Sequence, residues 1–226
     1  MKPFTSAILL AGGTGSRMQA DMPKQFLKLG SKTVVRHSFD VFMEMPEIDE
    51  IVVVCAPEFR HHFDTTQAPK KGVRFALPGV RRQDSVYHGL LGTSPTSELI
   101  CVHDGARPFI DKALVLRVLE AGLQHGAATV GMPIKFTVKE SNSENFVRAT
   151  PDRSFIWEIQ TPQIIQRSLL TAGFEYARVH NLTVTDDVSL AELIGKPVKL
   201  VEGSHINLKI TVPADLAVAT QLLAPR

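Results

Sequence analysis

The sequence predicts an α/β fold in which a Rossmann-like, mostly parallel sheet has helices on both faces and a β-arm protrudes from it. Short runs of β-branched residues alternate with amphipathic helical segments, and this alternation is typical of parallel sheets covered on both sides. A polar hairpin pattern that interrupts the alternation predicts the arm. The chain has 226 residues, of which 44% are apolar, which is enough for a single domain over residues 1–226.

Five strands are predicted, each from a short apolar or β-branched run. The first leads directly into the glycine-rich stretch AGGTGS. The second (EIVVVC) is so uniformly apolar that it belongs inside the sheet, and the third is a weaker pattern. The five predicted strands cover residues 6–11, 50–55, 73–77, 99–103 and 127–132.

Helices are predicted where apolar residues return every three or four positions. Two such faces comprise Val34, Val35, Ser38, Phe39 and Phe42, and then Leu114, Val115, Val118, Leu119 and Gly122. Thr211, Pro213 and Asp215 mark the start of a last helix before LAVATQLL. Just upstream, HINLKIT alternates like a strand, which would put Lys209 on the same face as Asn207.

Residues 133–157 break the alternation and predict the arm. The segments IKFTVKE, SNSEN and FVRAT form a polar β-hairpin pattern. Such a hairpin cannot enter the core without burying charge, so we expect it to project outward and to pack on something. A partner subunit and a lid over a ligand are the two candidates. Trp157 and the phenylalanines are expected in the core.

The composition excludes several partners. The chain has 25 Lys and Arg against 23 Asp and Glu, a formal net charge of +2, which gives no whole-surface field for nucleic acid. The longest apolar run near the start, residues 7–11, is too short for a signal peptide or a membrane span. Cys55 and Cys101 lie in apolar runs and are expected to be buried thiols. We expect a soluble, cytoplasmic protein that binds neither nucleic acid nor a membrane.

The strongest local signal is the glycine-rich stretch AGGTGSRM at residues 11–18, followed by MPKQF at residues 22–26. Glycines at this place let the backbone turn tightly and approach a ligand closely. Backbone N–H groups in such a loop can surround an anion. Because Arg17 and Lys24 add two cations, the stretch predicts a phosphate-binding site.

Three kinds of phosphate-binding loop compete for this stretch. A P-loop needs GxxxxGK[ST], and Gly-Lys-Ser or Gly-Lys-Thr does not occur. A dinucleotide fingerprint needs a glycine where Met18 stands and an acidic residue after the second strand, which runs instead into Cys55. A nucleotidyltransferase loop, GxGxR followed by Pro-Lys, fits best, because a plain glycine turn does not explain the arginine and the Pro-Lys pair.

Seven markers in order then carry a family resemblance: AGGTGSRM, MPKQF, RRQDSV, VHDGARPF, QTPQ, TDDVSLAE and NLKITVPADL. They extend from the first predicted strand to the last predicted helix. Together they resemble the 2-C-methyl-D-erythritol 4-phosphate cytidylyltransferase family of non-mevalonate isoprenoid synthesis. Sugar nucleotidyltransferases share the glycine loop but are not expected to show QTPQ or HDGARP in these places.

The resemblance implies transfer of CMP from CTP to 2-C-methyl-D-erythritol 4-phosphate, with release of pyrophosphate, by in-line attack on the α-phosphorus. The attacking phosphate monoester is already an anion near neutral pH, so alignment and charge neutralisation are sufficient for catalysis. A cytidylyltransferase for another polyol phosphate, such as ribitol 5-phosphate, is an alternative, although RRQDSV favours the methylerythritol enzyme. A non-catalytic nucleotide-binding module is a second alternative.

The resemblance also implies residue roles. Arg17 and Lys24 would hold the triphosphate and stabilise the transition state, and Arg153 and Lys209 would position the polyol phosphate. The implied CTP-binding residues are Ala11, Gly12, Gly13, Gly15, Gly79, Arg82, Ser85, Asp104 and Gly105. Arg107, Thr137 and Thr161 are implied to complete the polyol phosphate pocket. Asp104 is implied to place the cofactor Mg²⁺, or another divalent cation, between the phosphates.

In the family the arm crosses to a second subunit, so a homodimer is implied, in which Arg153 and Thr137 complete the neighbour's site. Three positions depart from the family pattern: Pro78 stands for a common glycine, Gly105 for a common alanine, and Phe136 for a usual aspartate. Asp186 and Asp187 are explained equally well by a helix N-terminus and are left out of the site. His103 is interpreted as structural.

Overall fold

A seven-stranded sheet forms the centre of the computed structural model, which describes residues 2–13, 22–63 and 71–223. The strands of the chain are β1 (Thr5–Leu10), β2 (Lys28–Leu29), β3 (Lys32–Thr33), β4 (Glu50–Val54), β5 (Gly72–Ala76), β6 (Leu99–Asp104), β7 (Ala127–Pro133), β8 (Glu140–Ser141), β9 (Val147–Ala149), β10 (Trp157–Gln166) and β11 (Lys199–Glu202). The α-helices are α1 (Val34–Glu44), α2 (Arg82–Gly92), α3 (Lys112–His125), α4 (Arg167–Val179), α5 (Ser189–Leu193) and α6 (Pro213–Leu223). Short 3₁₀ helices span Lys24–Phe26, Pro57–Phe63 and Arg153–Phe155.

The strand order of the large sheet is β11-β7-β10-β6-β1-β4-β5. β1 pairs in parallel with β4 and β6, β4 with β5, and β7 with β11. β10 alone runs antiparallel, between β6 and β7. The mostly parallel α/β fold is therefore confirmed. β1 lies between β4 and β6, so the chain leaves β1 towards one side and later returns to its other side. Such a reversal of strand order is where ligands bind in open α/β sheets.

Helices cover both faces of the sheet, as the strand–helix alternation predicts. One apolar layer packs α1 and α3 against the sheet, with Phe39, Phe42 and Val115 fully buried. The opposite layer packs α2, α4 and α5, with Val86 and Leu170 fully buried. α6 contributes Ala219 to a small separate cluster beside β2. Cys55 and Cys101 are buried free thiols, and burial raises the pKa of Cys55 to about 11.

All five predicted strands are present within one or two residues of their expected ends. The predicted strand over HINLKIT is wrong, because the structure has no regular secondary structure there. The chain turns at Ser204, whose carbonyl accepts the Asn207 N–H at 3.1 Å, and Asn207 points into the protein with no exposed surface. β11, which the sequence pattern did not predict, occupies the sheet edge instead.

The segment 133–157 leaves the sheet at the end of β7 and returns at the start of β10. Between them β8 and β9 form a short antiparallel hairpin in which all the strand residues are exposed. Phe136 is 78% exposed and Phe155 is 81% exposed, and Phe146 on the same arm is exposed too. The expectation that the phenylalanines lie in the core is therefore wrong for these three, because the arm has no layer of this chain to pack against.

In the described part of the chain, no helix is both long enough and apolar enough to cross a membrane.

Candidate active site

The candidate site lies where β1 and β6 end side by side. The register of these strands pairs Leu10 with Asp104, so the glycine-rich loop after β1 starts next to that carboxylate. The Gly105 N–H donates to the Leu10 carbonyl at 2.9 Å and fixes the two strand ends together. A Cβ on Gly105 would lie 2.8 Å from the Leu10 carbonyl oxygen, so the glycine here permits a close approach of backbones.

Asp104 is the anionic centre of the site, and three cations surround it. Arg82 donates from Nε and Nη2 to Oδ1, each at 3.1 Å. Lys209 Nζ lies 2.8 Å from Oδ2, and Arg107 Nε lies 3.7 Å from the same oxygen. Burial alone would raise the pKa of Asp104, but Arg82, Lys209 and Arg107 outweigh it and hold that pKa well below its usual range. The carboxylate therefore stays ionised at every physiological pH.

Arg82 is held from its other side by Asp187. Its Nη1 and Nη2 donate to the two carboxylate oxygens of Asp187 at 2.7 and 2.8 Å, the bidentate geometry that favours arginine over lysine. Asp187 is buried. Asp187, left out of the site on the sequence alone, thus contacts the predicted site residue Arg82. For Asp186 the helix-end explanation holds, because its carboxylate accepts the Ser189 N–H at the start of α5.

His103 supports the site from beneath. Its Nε2 lies 3.1 Å from the Arg107 carbonyl and its Nδ1 lies 2.9 Å from Thr161 Oγ1. Burial lowers the pKa of His103 to about 4, so the ring is neutral and Nε2 carries the proton that the carbonyl accepts. Thr161 Oγ1 then donates to Nδ1 and accepts the Asp104 N–H at 3.0 Å. The structural interpretation of His103 agrees with these contacts.

Asn207 fastens the segment that presents Lys209. Its Nδ2 donates to Gln160 Oε1 at 3.0 Å and to the Thr161 carbonyl at 2.9 Å. Its own carbonyl accepts from Arg107 Nη1 at 2.8 Å. Gln160 and Thr161 lie at the register shift between β10 and β7, where an irregular strand can present side chains that a regular ladder would pair. A buried amide thus links β10 to Lys209.

Two adjoining cavities open at this centre. The glycine-loop cavity has a volume of about 340 Å³. Its lining includes Gly12, Gly13, Lys24, Gln25, Gly79, Arg81 and Ser85. The Thr161 cavity has a volume of about 410 Å³, and its lining includes Arg107, Gln160, Thr161, Gln163, Asp186 and Glu192. Arg82, Asp104 and Lys209 line both cavities and form the wall between them.

The predicted site residues fall into three groups by position. Gly12, Gly13, Lys24, Gly79, Arg82, Ser85, Asp104, Lys209, Arg107 and Thr161 line one or both cavities, and Ala11 and Gly105 lie directly beside them in the chain. Gly15 and Arg17 lie outside the described residues. Thr137 and Arg153 lie on the arm and line neither cavity. Arg153 Nη1 instead donates to the Lys135 carbonyl at 3.0 Å.

The glycines of the first cavity differ in what requires them. A Cβ on Gly12 would overlap the ring of Pro78, and one on Gly79 would overlap Asp84 at the start of α2. A Cβ on Gly13 would meet nothing within 4 Å. Packing therefore requires Gly12 and Gly79, whereas Gly13 faces open space. Ser85 Oγ accepts the Gly79 N–H at 2.9 Å and holds this second loop in place.

The donor set suits a metal ion that arrives with a ligand's phosphates. Among the described residues, no group of three or more His, Cys, Asp or Glu side chains could hold an ion. Mg²⁺, however, is commonly bound through one or two carboxylates together with substrate phosphates and water. The ionised Asp104 at the wall of both cavities fits that pattern.

Comparison with known proteins agrees with the motif assignment. The family model described as IspD, 2-C-methyl-D-erythritol 4-phosphate cytidylyltransferase, matches residues 5–224. A chloroplastic 2-C-methyl-D-erythritol 4-phosphate cytidylyltransferase of Oryza sativa subsp. japonica is 46% identical, over 96% of this chain and 74% of the relative. An enzyme of the same name from Clostridioides difficile (strain 630) is 39% identical, over 96% of this chain and 93% of that one.

Solved structures agree as well. The 4-diphosphocytidyl-2C-methyl-D-erythritol synthase of Anaerococcus prevotii DSM 20548 superposes with a TM-score of 0.88 at 30% identity, covering 99% of both chains. The 2-C-methyl-D-erythritol 4-phosphate cytidylyltransferase of Thermus thermophilus superposes with a TM-score of 0.75 at 34% identity, covering 96% of this chain and 97% of that one.

Proposed function

The chain belongs to the 2-C-methyl-D-erythritol 4-phosphate cytidylyltransferase family and is an enzyme that transfers a cytidylyl group from CTP to 2-C-methyl-D-erythritol 4-phosphate, and we propose that each of its two cavities holds one substrate. We assign CTP to the glycine-loop cavity and the polyol phosphate to the Thr161 cavity. The observation that supports this division is the shared wall of Arg82, Asp104 and Lys209. The attacking phosphate and the α-phosphorus would meet at that wall.

The reaction needs little from the protein beyond alignment and charge. A phosphate monoester loses its second proton near pH 6, so the attacking oxygen is anionic without a general base. Extra negative charge develops around the α-phosphorus during in-line displacement. Lys24 in the CTP cavity and Lys209 at the wall would neutralise that charge, since preorganised cations are the main source of catalysis of this kind. We assign Arg17 the same task on the triphosphate.

The Gly79–Ser85 side of the first cavity is assigned to the cytosine base. Ser85 fixes the Gly79 backbone, and we assign the contacts with the pyrimidine to the backbone of Ala11 and Gly79. Arg82 would support this side while bonded to Asp104 and Asp187. Arg107 and Thr161 are assigned to the polyol phosphate, because both line only the second cavity.

Nucleotidyltransferases of this family work with a divalent metal ion, and we assign Mg²⁺ to this role here. When bound, the ion supplies charge neutralisation between the phosphates. Asp104 is the residue that would hold it from the protein side. Arg82 and Lys209 already contact the two oxygens of Asp104, so these cations would keep the carboxylate ionised and correctly turned.

We also propose that the enzyme is a homodimer, joined through the arm at residues 133–157. Thr137 and Arg153 line neither of the two cavities described for their own chain, and the arm exposes three phenylalanines. Such residues are typical of the core of a protein interface. In the dimer each arm would bring Arg153 and Thr137 to the partner's Thr161 cavity. The rest of the chain, on this proposal, is one domain that works in the cytoplasm.

Two matched substitutions test the division of the cavities. Ser85 lines only the CTP cavity and Thr161 lines only the other. We expect Ser85→Ala to raise the KM for CTP about fivefold to tenfold, the value of one hydrogen bond, and to leave the KM for the polyol phosphate within twofold. Thr161→Val should do the reverse. Pyrophosphate release with each substrate varied in turn measures both constants.

A crossed result would overturn the division. If Ser85→Ala changes only the KM for the polyol phosphate, or if Thr161→Val changes only that for CTP, the cavities are assigned the wrong way round. Turnover with ribitol 5-phosphate, compared in the same assay, measures how strictly the second cavity selects its polyol.

A further inference from the structure

We propose that Gln25 is a positioning residue that orients the peptide groups of residues 11–13, at the start of the glycine-rich stretch, for binding the triphosphate of CTP. The Gln25 carboxamide is buried, and its Nε2 donates two hydrogen bonds, to the Ala11 carbonyl and to the Gly13 carbonyl, each at 2.7 Å. A carboxamide nitrogen has two hydrogens. Both are therefore used on the loop, one on each side of Gly12.

Gln25 can act as a clamp on the Ala11 and Gly13 carbonyls because its own position is fixed by its neighbours. It lies in the 3₁₀ turn Lys24–Phe26, which Pro23 precedes and whose Phe26 N–H donates to the Pro23 carbonyl at 2.9 Å. Phe26 is buried and stacks on Phe59 with ring centroids 4.2 Å apart. The aromatic anchor fixes one side of Gln25, and on the other side Lys24 lines the glycine-loop cavity.

The two bonds determine which way the loop's peptide groups face. A trans peptide is planar, with its C=O and N–H pointing in opposite directions. When the Ala11 carbonyl points to Gln25, the Gly12 N–H points away from it. No residue in the described ranges accepts a hydrogen bond from that N–H. Two carbonyl oxygens are thus withdrawn towards Gln25, and an N–H group is left for an anion.

Loss of the clamp would reverse this arrangement. A carbonyl that loses its donor turns towards water, because a buried and unpaired carbonyl is costly. The open space beside these residues is the glycine-loop cavity, which Gly12 and Gly13 line. A carbonyl oxygen turned into that cavity would repel a triphosphate but not an uncharged cytidine. This inference rests on the proposed assignment of CTP to the cavity.

The experiment compares phosphate-dependent binding in two variants. Gln25→Met keeps the length of the side chain and removes the donor, and Gln25→Glu replaces the amide with a carboxylate that cannot donate. Gln124→Met and Gln124→Glu make the same changes on the exposed surface of α3 and serve as controls. Affinities for CTP and for cytidine are measured by calorimetry or NMR titration, beside a thermal melt of each variant.

We expect CTP to bind about tenfold more weakly or worse in both Gln25 variants, the effect of losing two hydrogen bonds that orient the loop. Cytidine should bind within twofold of the wild type, and the Gln124 variants should be unchanged for both ligands. If Gln25→Glu does not fold, Gln25→Met decides the question alone.

Equal weakening of CTP and cytidine would overturn the inference, because Gln25 would then support the fold in general. Unchanged CTP binding in a folded Gln25→Met would overturn it too. Lys24→Ala separates this failure from a failure of the proposed site. A large loss of turnover in Lys24→Ala with intact CTP binding by Gln25→Met rejects only the clamp, whereas normal turnover in Lys24→Ala rejects the site.

Discussion

The centre around Asp104 and the arm at residues 133–157 differ in where their side chains find contacts. Asp104 is 7% exposed and is surrounded by Arg82, Arg107 and Lys209 of its own chain. The arm, in contrast, leaves Phe136 at 78% exposure and bonds to little beyond itself. One region is complete within a single chain, and the other has the character of half an interface. In the proposed homodimer, the charged centre would be built within one subunit and the arm of the other subunit would complete the substrate site.

The difference has an energetic side. Removing one partner from a buried ion pair costs about 3–5 kcal/mol, so the centre should not tolerate isolated charge changes. Substitutions on an exposed surface usually change stability by about 0.5 kcal/mol or less. Changes at the centre should therefore alter folding as well as activity, whereas changes on the arm should alter activity or assembly and leave the fold of the subunit intact.

The largest effect is expected in the candidate site, from the substitution Lys24→Ala in the glycine-loop cavity. We predict that turnover falls by about 10²–10³-fold, the usual loss when one transition-state donor is removed, while CTP binding weakens much less. Lys28→Ala, which removes an exposed lysine of β2, is the matched control. Pyrophosphate release gives the turnover and calorimetry gives the binding. Near-normal turnover in Lys24→Ala would refute a transition-state role for this lysine.

A smaller effect is expected on the stability of the protein as the pH falls, because of His103 beneath the site. Burial puts the pKa of His103 at about 4 in the folded protein, below the usual 6.5. The unfolded chain therefore takes up this proton first as the pH falls. Stability should be unaffected by this group above pH 6.5 and should decrease as the pH falls from 6.5 towards 4. The expected loss between pH 7.5 and 5 is about 2 kcal/mol, at about 1.4 kcal/mol per pH unit.

Urea unfolding at the two pH values measures this loss. His103→Gln should be less stable than the wild type at pH 7.5, because its hydrogen bonds change, but it should lose less than the wild type on acidification. His125→Gln, at the end of α3, should lose as much as the wild type. Equal acid losses in all three proteins would contradict the assignment of a buried, neutral His103.

The smallest effect on the fold is expected on the arm. Phe155→Ala should change the free energy of subunit unfolding by about 0.5 kcal/mol or less, whereas Phe26→Ala in the core should cost about 3–5 kcal/mol. The same Phe155→Ala should weaken dimerisation, because aromatic side chains at interface cores are often hot spots. Sedimentation measures assembly, and chemical unfolding measures stability. A large loss of subunit stability in Phe155→Ala would place this ring in the subunit's own core.

The sequence predicted β1, β4, β5, β6 and β7 because each contains a short apolar or β-branched run, but it did not predict β11, the parallel strand at the sheet edge. It did not predict β10, whose sequence WEIQTPQIIQ mixes glutamines and a proline with apolar residues. Two of those glutamines are buried and form hydrogen bonds within the site. Gln163 Oε1 accepts the Asp187 N–H at 2.8 Å, and Gln160 Oε1 accepts from Asn207. Because these polar site residues interrupt the apolar run, the segment lacks the pattern by which strands are predicted.

The site was predictable where motifs carried it and not where the fold alone brings residues together. Asp104 and Lys209 follow from their motifs, but Arg82 and Asp187 are 105 positions apart, and no local pattern indicates their pairing. Asn207 points inward and bonds to β10, but the alternating sequence around it predicted a strand instead. Two acidic residues in sequence were a signal, but only the structure separates the helix-end role of Asp186 from the arginine contact of Asp187.

Subunit complementation tests most directly whether each site is shared between two chains. Lys24→Ala and Arg153→Ala subunits, each nearly inactive alone, are mixed under conditions where labelled subunits are shown to exchange. If the arm completes the partner's site, a mixed dimer contains one site with both residues intact, and pyrophosphate release should recover to about a quarter of the wild-type rate at equal mixing. No recovery after demonstrated exchange would show that each site is built from one chain.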